Sequence, residues 1–223
     1  MSLSKRYAKS YGDLAKRPLI VIEHLEDHTS RWIMLEYQHV SSLAGKRLVF
    51  TNGREYCGKL SRLAPCYRES LLDLEGVLYT ERRRVIILDP SADRLLDPEE
   101  AARADAIVIG GILGDHPPRR RTWEMLTSRA KGMIARSLGP HQLSIDGAAY
   151  VAIKALEGVH PASIPLVHRP RLEIQLDDLV SVEVELPFSY PLVDGRPLFA
   201  PGLEELLARG LAYEEVRELE GQA

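Results

Sequence analysis

The chain has no apolar run of about 18 residues, the length a membrane-spanning helix needs, so no membrane span is expected. Its basic start, MSLSKRYAKSYGDLAKRP, has no apolar segment behind it. No secretory signal is therefore read there, residues 1–17 are expected to be a flexible lead-in, and the expected compartment is the cytoplasm. Positive charge is also short: 29 Lys and Arg against 32 Asp and Glu give a formal charge of -3. That balance argues against a protein that binds polyanions over its whole surface, though local basic patches remain open. Cys57 and Cys66 are the only cysteines, with no CxxC spacing and no paired histidines, so a zinc site is not expected. They are read as two ordinary thiols, with a local disulfide as the alternative. Asn52 is the only asparagine, and the basic residues are mostly Arg. Ion-pair-rich, amide-poor chains are commoner in thermophiles, in which intracellular disulfides are less rare.

The 223 residues, 45% of them apolar, suit one large domain or a domain with an appendage. Short apolar runs alternate with helical periodicity. Strands are expected at 18–24, 46–52, 84–90, 105–110 and 133–137, and helices at 32–43, from Pro98, at 119–131 and at 143–156. Residues 55–80 read as helical pieces broken near Pro65. Continuous apolar strands alternating with helices predict an α/β fold, a mainly parallel sheet with helices on both faces. From His168 the pattern changes: Leu172-Glu173-Ile174 and Val182 to Leu186 alternate apolar and acidic, as strands with one wet face do. Residues 187–201 read as turn-rich, and a short helix follows at 202–210. The expected organisation is an α/β domain over 18–160 and a small β-rich extension over 161–223, packed on the same domain.

In parallel α/β sheets, ligands bind beyond the carboxyl ends of the strands. Three strand ends carry unusual residues: Leu88-Asp89-Pro90, Gly110 to Asp115, and Ser137-Leu138-Gly139. Glycines there allow close backbone approach to a ligand. Ordinary strand-to-helix turns would look similar. The segment GGILGDHP lacks the Gly-Lys-Ser/Thr of a phosphate-binding loop and the spacing of a dinucleotide fingerprint. No serine stands in a G-x-S-x-G context. Asp115-His116 has no second ligand pair nearby, so no metal is expected. Arg119, Arg120 and Arg121 sit where a helix would begin, an unfavourable place for cations unless something anionic offsets them. Glu23, His24 and Glu26, at the end of the first strand, are the nearest candidates in the sequence.

GGILGDHPPRRRT followed by RSLGPHQLSIDGAAYVAIKAL resembles a family of SPOUT-class methyltransferases of archaea and eukaryotes. The likeness extends in matching order over roughly 19–203, including Val21 to His24, Trp32 to Tyr37, Leu88 to Pro90 and Pro187 to Tyr190. The eukaryotic representative methylates an arginine of a small-subunit ribosomal protein, and archaeal members have been labelled RNA methyltransferases. The resemblance implies a SPOUT fold whose C-terminal part is threaded as a trefoil knot, and S-adenosyl-L-methionine as cofactor. It implies cofactor contacts from Leu88, Asp89 and Pro90, from Gly110, Gly111, Ile112, Leu113 and Gly114, and from Leu138, Gly139, Gln142, Leu143 and Ser144. Asp115 is the expected catalytic carboxylate with Glu23 second, and Asp146 is a weaker third. His24, His116, Arg119 and Arg121 would face the methyl acceptor. The favoured acceptor is an arginine of a ribosomal protein; ribosomal or transfer RNA is the alternative, and a non-catalytic SPOUT-like binding module is a third reading. Such proteins often dimerise through the knot, so monomer or homodimer is expected, with the extension favouring a monomer. The alanine-rich face of the 143–156 helix is expected to be buried against neighbouring backbone.

Overall fold

The structure, a computed structural model, describes residues 17–114, 119–175 and 180–210. Five parallel strands build the main sheet: β1 (Leu19–His24), β2 (Leu48–Thr51), β3 (Val85–Leu88), β4 (Ala106–Gly111) and β5 (Ile134–Arg136), in the order β2-β1-β4-β3-β5. Each pairing is parallel and in register, with Ile22 beside both Phe50 and Ile109, and Ile87 beside both Val108 and Ala135. Alternate residues face opposite ways, so a strand buried on both sides is mainly apolar, and a polar group in it needs a partner. β1 is buried along its whole length: Leu19 to Ile22 are apolar for that reason, and Glu23 and His24 at its end are hydrogen-bonded.

One face of the sheet, carrying Ile20, Ile22, Phe50, Ile86 and Ile107, packs on helices α1 (Arg31–Ala44), α3 (Pro98–Arg103) and α5 (Ile145–Leu156). Between β2 and β3 runs a long connection that begins with α2 (Cys57–Leu60). Its residues 67–79 cover the other face over Leu19, Val21, Ile87 and Val108, together with Leu126 and Ala130. Short helical turns, rather than full helices, therefore close that side. The expected 119–131 helix is broken into α4 (Arg121–Met125) and a tight turn at Thr127–Arg129. Arg120, at φ 55°, is outside helical geometry and does not cap α4 with its side chain, and the chain leaves helical geometry again at Leu126 (φ -128°, ψ -64°).

Cys57 and Cys66 form a disulfide, contrary to the expectation of two ordinary thiols. The cause is the fold of the connection. Phe50 donates its N–H to Pro65 and accepts from Tyr67, at 2.8 and 2.9 Å, which seats Cys66 beside the edge of β2. The chain turns back after α2, leaving the two Cα atoms 5.4 Å apart.

The alanine face of α5 is buried as expected. Ala149, Ala152 and Ala155 are fully buried against α1, α3 and β4, and Ala148 is half-buried. Past α5 the chain forms β6 (Leu166–His168), β7 (Arg171–Gln175), β8 (Ser181–Glu185), β9 (Ser189–Val193) and β10 (Arg196–Pro197), then a helix α6 over 203–210. β7 and β8 are an antiparallel pair, as their alternation predicts. The segment expected to be turn-rich instead contributes β9 and β10 to a second sheet of order β10-β9-β6. Among the described residues no helix is long and apolar enough to cross a membrane.

Candidate active site

Because β4, β3 and β5 are parallel neighbours, their carboxyl ends lie side by side, and a cleft of about 260 Å³ opens there. The loop after β3 supplies Leu88, Asp89, Pro90 and Ser91 to its wall. The loop after β4 supplies Gly110, Ile112 and Gly114, and the loop after β5 supplies Leu138, Gly139, His141, Gln142 and Leu143. Arg119 to Thr122 complete the rim. The three strand ends singled out from sequence thus meet at one place.

Three residues expected at the cofactor are not in this wall. Gly111 ends β4, and a methyl group there would strike the Tyr37 hydroxyl and lie 3.1 Å from the Glu23 carbonyl, so its missing side chain serves packing. The side chain of Leu113 packs against the main core cluster. Ser144 is the cap of α5, its hydroxyl accepting from the Gly147 N–H at 3.2 Å. Gly114 does belong to the cleft: a methyl group there would overlap the Gln142 amide and approach the Phe188 ring to 2.9 Å.

Asp89 is the polar centre of the wall. It is 1% exposed, and its Oδ1 accepts from the N–H and hydroxyl of Ser91 at 2.8 and 2.6 Å. Its Oδ2 is buried and has no hydrogen-bond partner among the described residues. A buried carboxylate oxygen without a donor is costly, so this atom is suited to a ligand hydroxyl, amine or ammonium.

The second loop is held by an ion pair that spans the chain. Glu26 accepts from the Leu113 N–H at 3.0 Å and from Arg121 Nη1 at 3.2 Å, while Arg121 Nη2 donates to the Leu113 carbonyl. Both main-chain groups of Leu113 are thereby satisfied, and among the described residues Glu26 is an acid that pairs with the arginine run. Arg121 is committed to this loop. Arg119 and Arg120 are exposed at the rim, with Arg120 lying 5.7 Å over the half-exposed Trp123 ring.

Glu23 and His24 stand elsewhere. The Glu23 side chain points to the face opposite α1, 1% exposed, and accepts from Thr51, Ser70 and the Leu71 N–H. Burial pushes its carboxyl up from the usual range, against those three donors. His24, also 1% exposed, bonds Tyr37 through Nδ1 at 2.8 Å, and burial followed by the nearby Arg54 charge lowers its pKa to about 4. Neither lines the cleft. Asp115 and His116 lie outside the described residues. No group of three or more His, Cys, Asp or Glu suited to a metal occurs among the described residues.

A buried polar network behind the third loop went unread in the sequence. Glu36 accepts from the Trp32 indole and, at 2.8 Å, from the Ile145 N–H. Asp146, fully buried, bonds His39 Nδ1 at 2.7 Å. Burial, with the Asp146 charge second, pushes the Glu36 carboxyl up to about 8. An acid placed on an otherwise apolar helical stripe is the signal that could have found it.

The fold and its cleft define a class, the SPOUT methyltransferases. A solved dual-specific Trm10 of Thermococcus kodakaraensis shares the fold at TM-score 0.52 and 19% identity, over 65% of this chain and 95% of that one. Residues 19–214 match the family model of SFM1-like protein arginine N-methyltransferases, and the chain belongs to that family. Protein arginine N-methyltransferase SFM1 of Saccharomyces cerevisiae is 30% identical over 208 residues, 86% of this chain and 95% of the yeast protein. The crystal structure of the yeast enzyme with SAH aligns at TM-score 0.72 and 30% identity, covering 85% of this chain and 94% of that one. Its complex with SAM also aligns at 0.72 and 30% identity, over 86% and 90%.

Proposed function

We propose that this chain transfers a methyl group from S-adenosylmethionine to an arginine side chain of a ribosomal protein, in the cleft beyond β4, β3 and β5. Family membership supports the reaction, and the unpartnered Oδ2 of Asp89 in the cleft wall is the observation that carries the cofactor assignment. S-adenosylmethionine offers ribose hydroxyls, an adenine amine and an α-ammonium, each a donor that this oxygen lacks. An RNA acceptor is the less favoured alternative, because the family is described as one of protein arginine N-methyltransferases.

When bound, the cofactor supplies an electrophilic methyl on a sulfonium. The chain's own task is to position and deprotonate the acceptor. A guanidinium has a pKa above about 12 and is a poor nucleophile while protonated. We assign proton removal to the Asp115 carboxylate, which directly follows Gly114 of the cleft wall in sequence. Arg119 at the rim is assigned to the acceptor's main-chain carbonyls, with His116 beside Asp115 in sequence as a further acceptor contact. Arg121 is assigned to the second loop through Glu26 instead, and Glu23 and His24 to the packing of β1.

The knotted threading expected of the class belongs to the same proposal. The chain leaving β5 runs beside residues 94–96, with Ser137 donating to Arg94 at 2.8 Å and accepting from Leu96 at 2.9 Å, before α5 packs on α1 and α3. β9 covers part of α5, which favours a monomer. Incubation with labelled cofactor and ribosomal extract, followed by separation of RNA from protein, tests the function. Label in a small-subunit protein is expected, and label confined to RNA refutes it.

A further inference from the structure

The C-terminal extension reaches the cleft. Phe188 and Ser189, 4% and 5% exposed, stand just before and at the start of β9. The Ser189 N–H donates to the Gln142 carbonyl at 2.9 Å, and Ser189 pairs in parallel with Leu143. Its hydroxyl bonds His168 Nδ1 at 2.9 Å. The His168 ring in turn lies over that of His141, with centroids 3.6 Å apart and planes at 38°. His141, Gln142 and Leu143 all belong to the third strand-end loop and line the cleft. Two strands of the extension therefore hold that loop, β9 through the main chain of Ser189 and β6 through the stacked His168 ring, and the Ser189 hydroxyl joins the two.

Phe188 connects the same segment to the second loop. Its ring is 2.9 Å from where a methyl group on Gly114 would sit, at the spot where the Gln142 amide also crosses. The ring meets Trp32 of α1 edge-on at 6.4 Å, and the Phe188 carbonyl accepts from Arg169 at 3.0 Å. The aromatic side chain is thus anchored from behind and presses on the junction of two loops whose described residues outside the strands have no helix or strand of their own. Sites that grip a ligand through loop backbone depend on such support, because sub-ångström displacement of several donors at once loses affinity.

We propose that Phe188 and Ser189 are positioning residues for cofactor binding, locking the third strand-end loop against the second, so that the cleft is complete only with the extension in place. This rests on the reading that the cleft takes S-adenosylmethionine.

Calorimetric titration of the full chain with S-adenosylmethionine, alongside thermal unfolding, tests it. Phe188→Ala should weaken binding about tenfold and raise the cofactor KM, while kcat at saturation stays within about threefold. Phe188→Leu, which keeps most of the volume, should recover much of the affinity, and Ser189→Ala should cost a few-fold. A merely structural role would lower the melting temperature without moving the affinity of folded protein. A folded Phe188→Ala variant with wild-type affinity overturns the proposal. Should that variant not fold, wild-type affinity in both Phe188→Leu and Ser189→Ala overturns it. Wild-type protein that binds no cofactor would overturn the cofactor reading itself, a result distinct from wild-type binding that the variants leave intact.

Discussion

Replacing Glu26 by alanine should open the second loop without unfolding the domain. The Glu26 carboxylate satisfies the Leu113 N–H and pairs with Arg121, whose other nitrogen holds the Leu113 carbonyl. Hydrogen bonds to charged groups contribute about 1.5–3 kcal/mol when well buried. Here the Glu26 and Arg121 side chains are 18% and 28% exposed, so solvent screening leaves about 2 kcal/mol for the two contacts together. If the closed loop is the binding-competent form, that loss translates into up to roughly 30-fold weaker cofactor binding, at about 1.4 kcal/mol per tenfold. Glu26→Gln keeps an acceptor for Leu113 but not the charge, and should fall between. Calorimetry with S-adenosylmethionine reads the affinity, and the melting temperature should fall by no more than about 4–8 °C, the shift that about 2 kcal/mol gives a domain of this size. A folded Glu26→Ala protein that binds cofactor as tightly as wild type would refute the argument that this pair shapes the cleft.

Three other outcomes are expected. Asp115→Asn should retain cofactor affinity within a few-fold and lose about 10²–10⁴ in turnover, measured by methyl incorporation; undiminished turnover would remove the proton-acceptor role. Glu36 ionises near the ordinary glutamate value of 4.5 when unfolded but, because of its burial, only at about 8 when folded, so the folded state holds the proton longer. Stability should therefore fall as pH rises from about 5 to 8, and urea midpoints of Glu36→Gln should lose that slope. Reducing the Cys57–Cys66 disulfide, which closes a short loop, should lower stability by about 2–3 kcal/mol, read as a drop in melting temperature with dithiothreitol that is absent in a Cys66→Ser variant.

The main sheet was legible because both faces of its strands are covered, which leaves β3, β4 and the first four residues of β1 as unbroken apolar runs. β9 was not, since Pro191 interrupts its pattern. The strand tolerates it because neighbours supply the ladder there: Leu192 donates to Pro165 and Leu198 to the Pro191 carbonyl, both at 2.8 Å. The 119–131 helix was overread because the chain leaves helical geometry at Arg120 and again at Leu126, which periodicity does not register. At the site, glycines at strand ends marked the three loops, since a parallel topology brings such ends together. What those loops lean on was hidden. Glu26 and Arg121 are 95 residues apart, and Ser189 meets Gln142 only after the extension has folded back. Glu23 and His24 were drawn to the cleft by their place at the end of β1, but the pleat sends their side chains to opposite faces of the sheet, one to Ser70 and the other to Tyr37.

The central claim is that the acceptor is an arginine side chain. It is tested most directly by incubating the full chain with methyl-labelled S-adenosylmethionine and ribosomal proteins, hydrolysing the labelled protein completely and separating its amino acids. Label should co-migrate with a methylated arginine and disappear when Asp115→Asn replaces the wild type. Label in another amino acid, or recovered only in ribosomal RNA, would contradict the account.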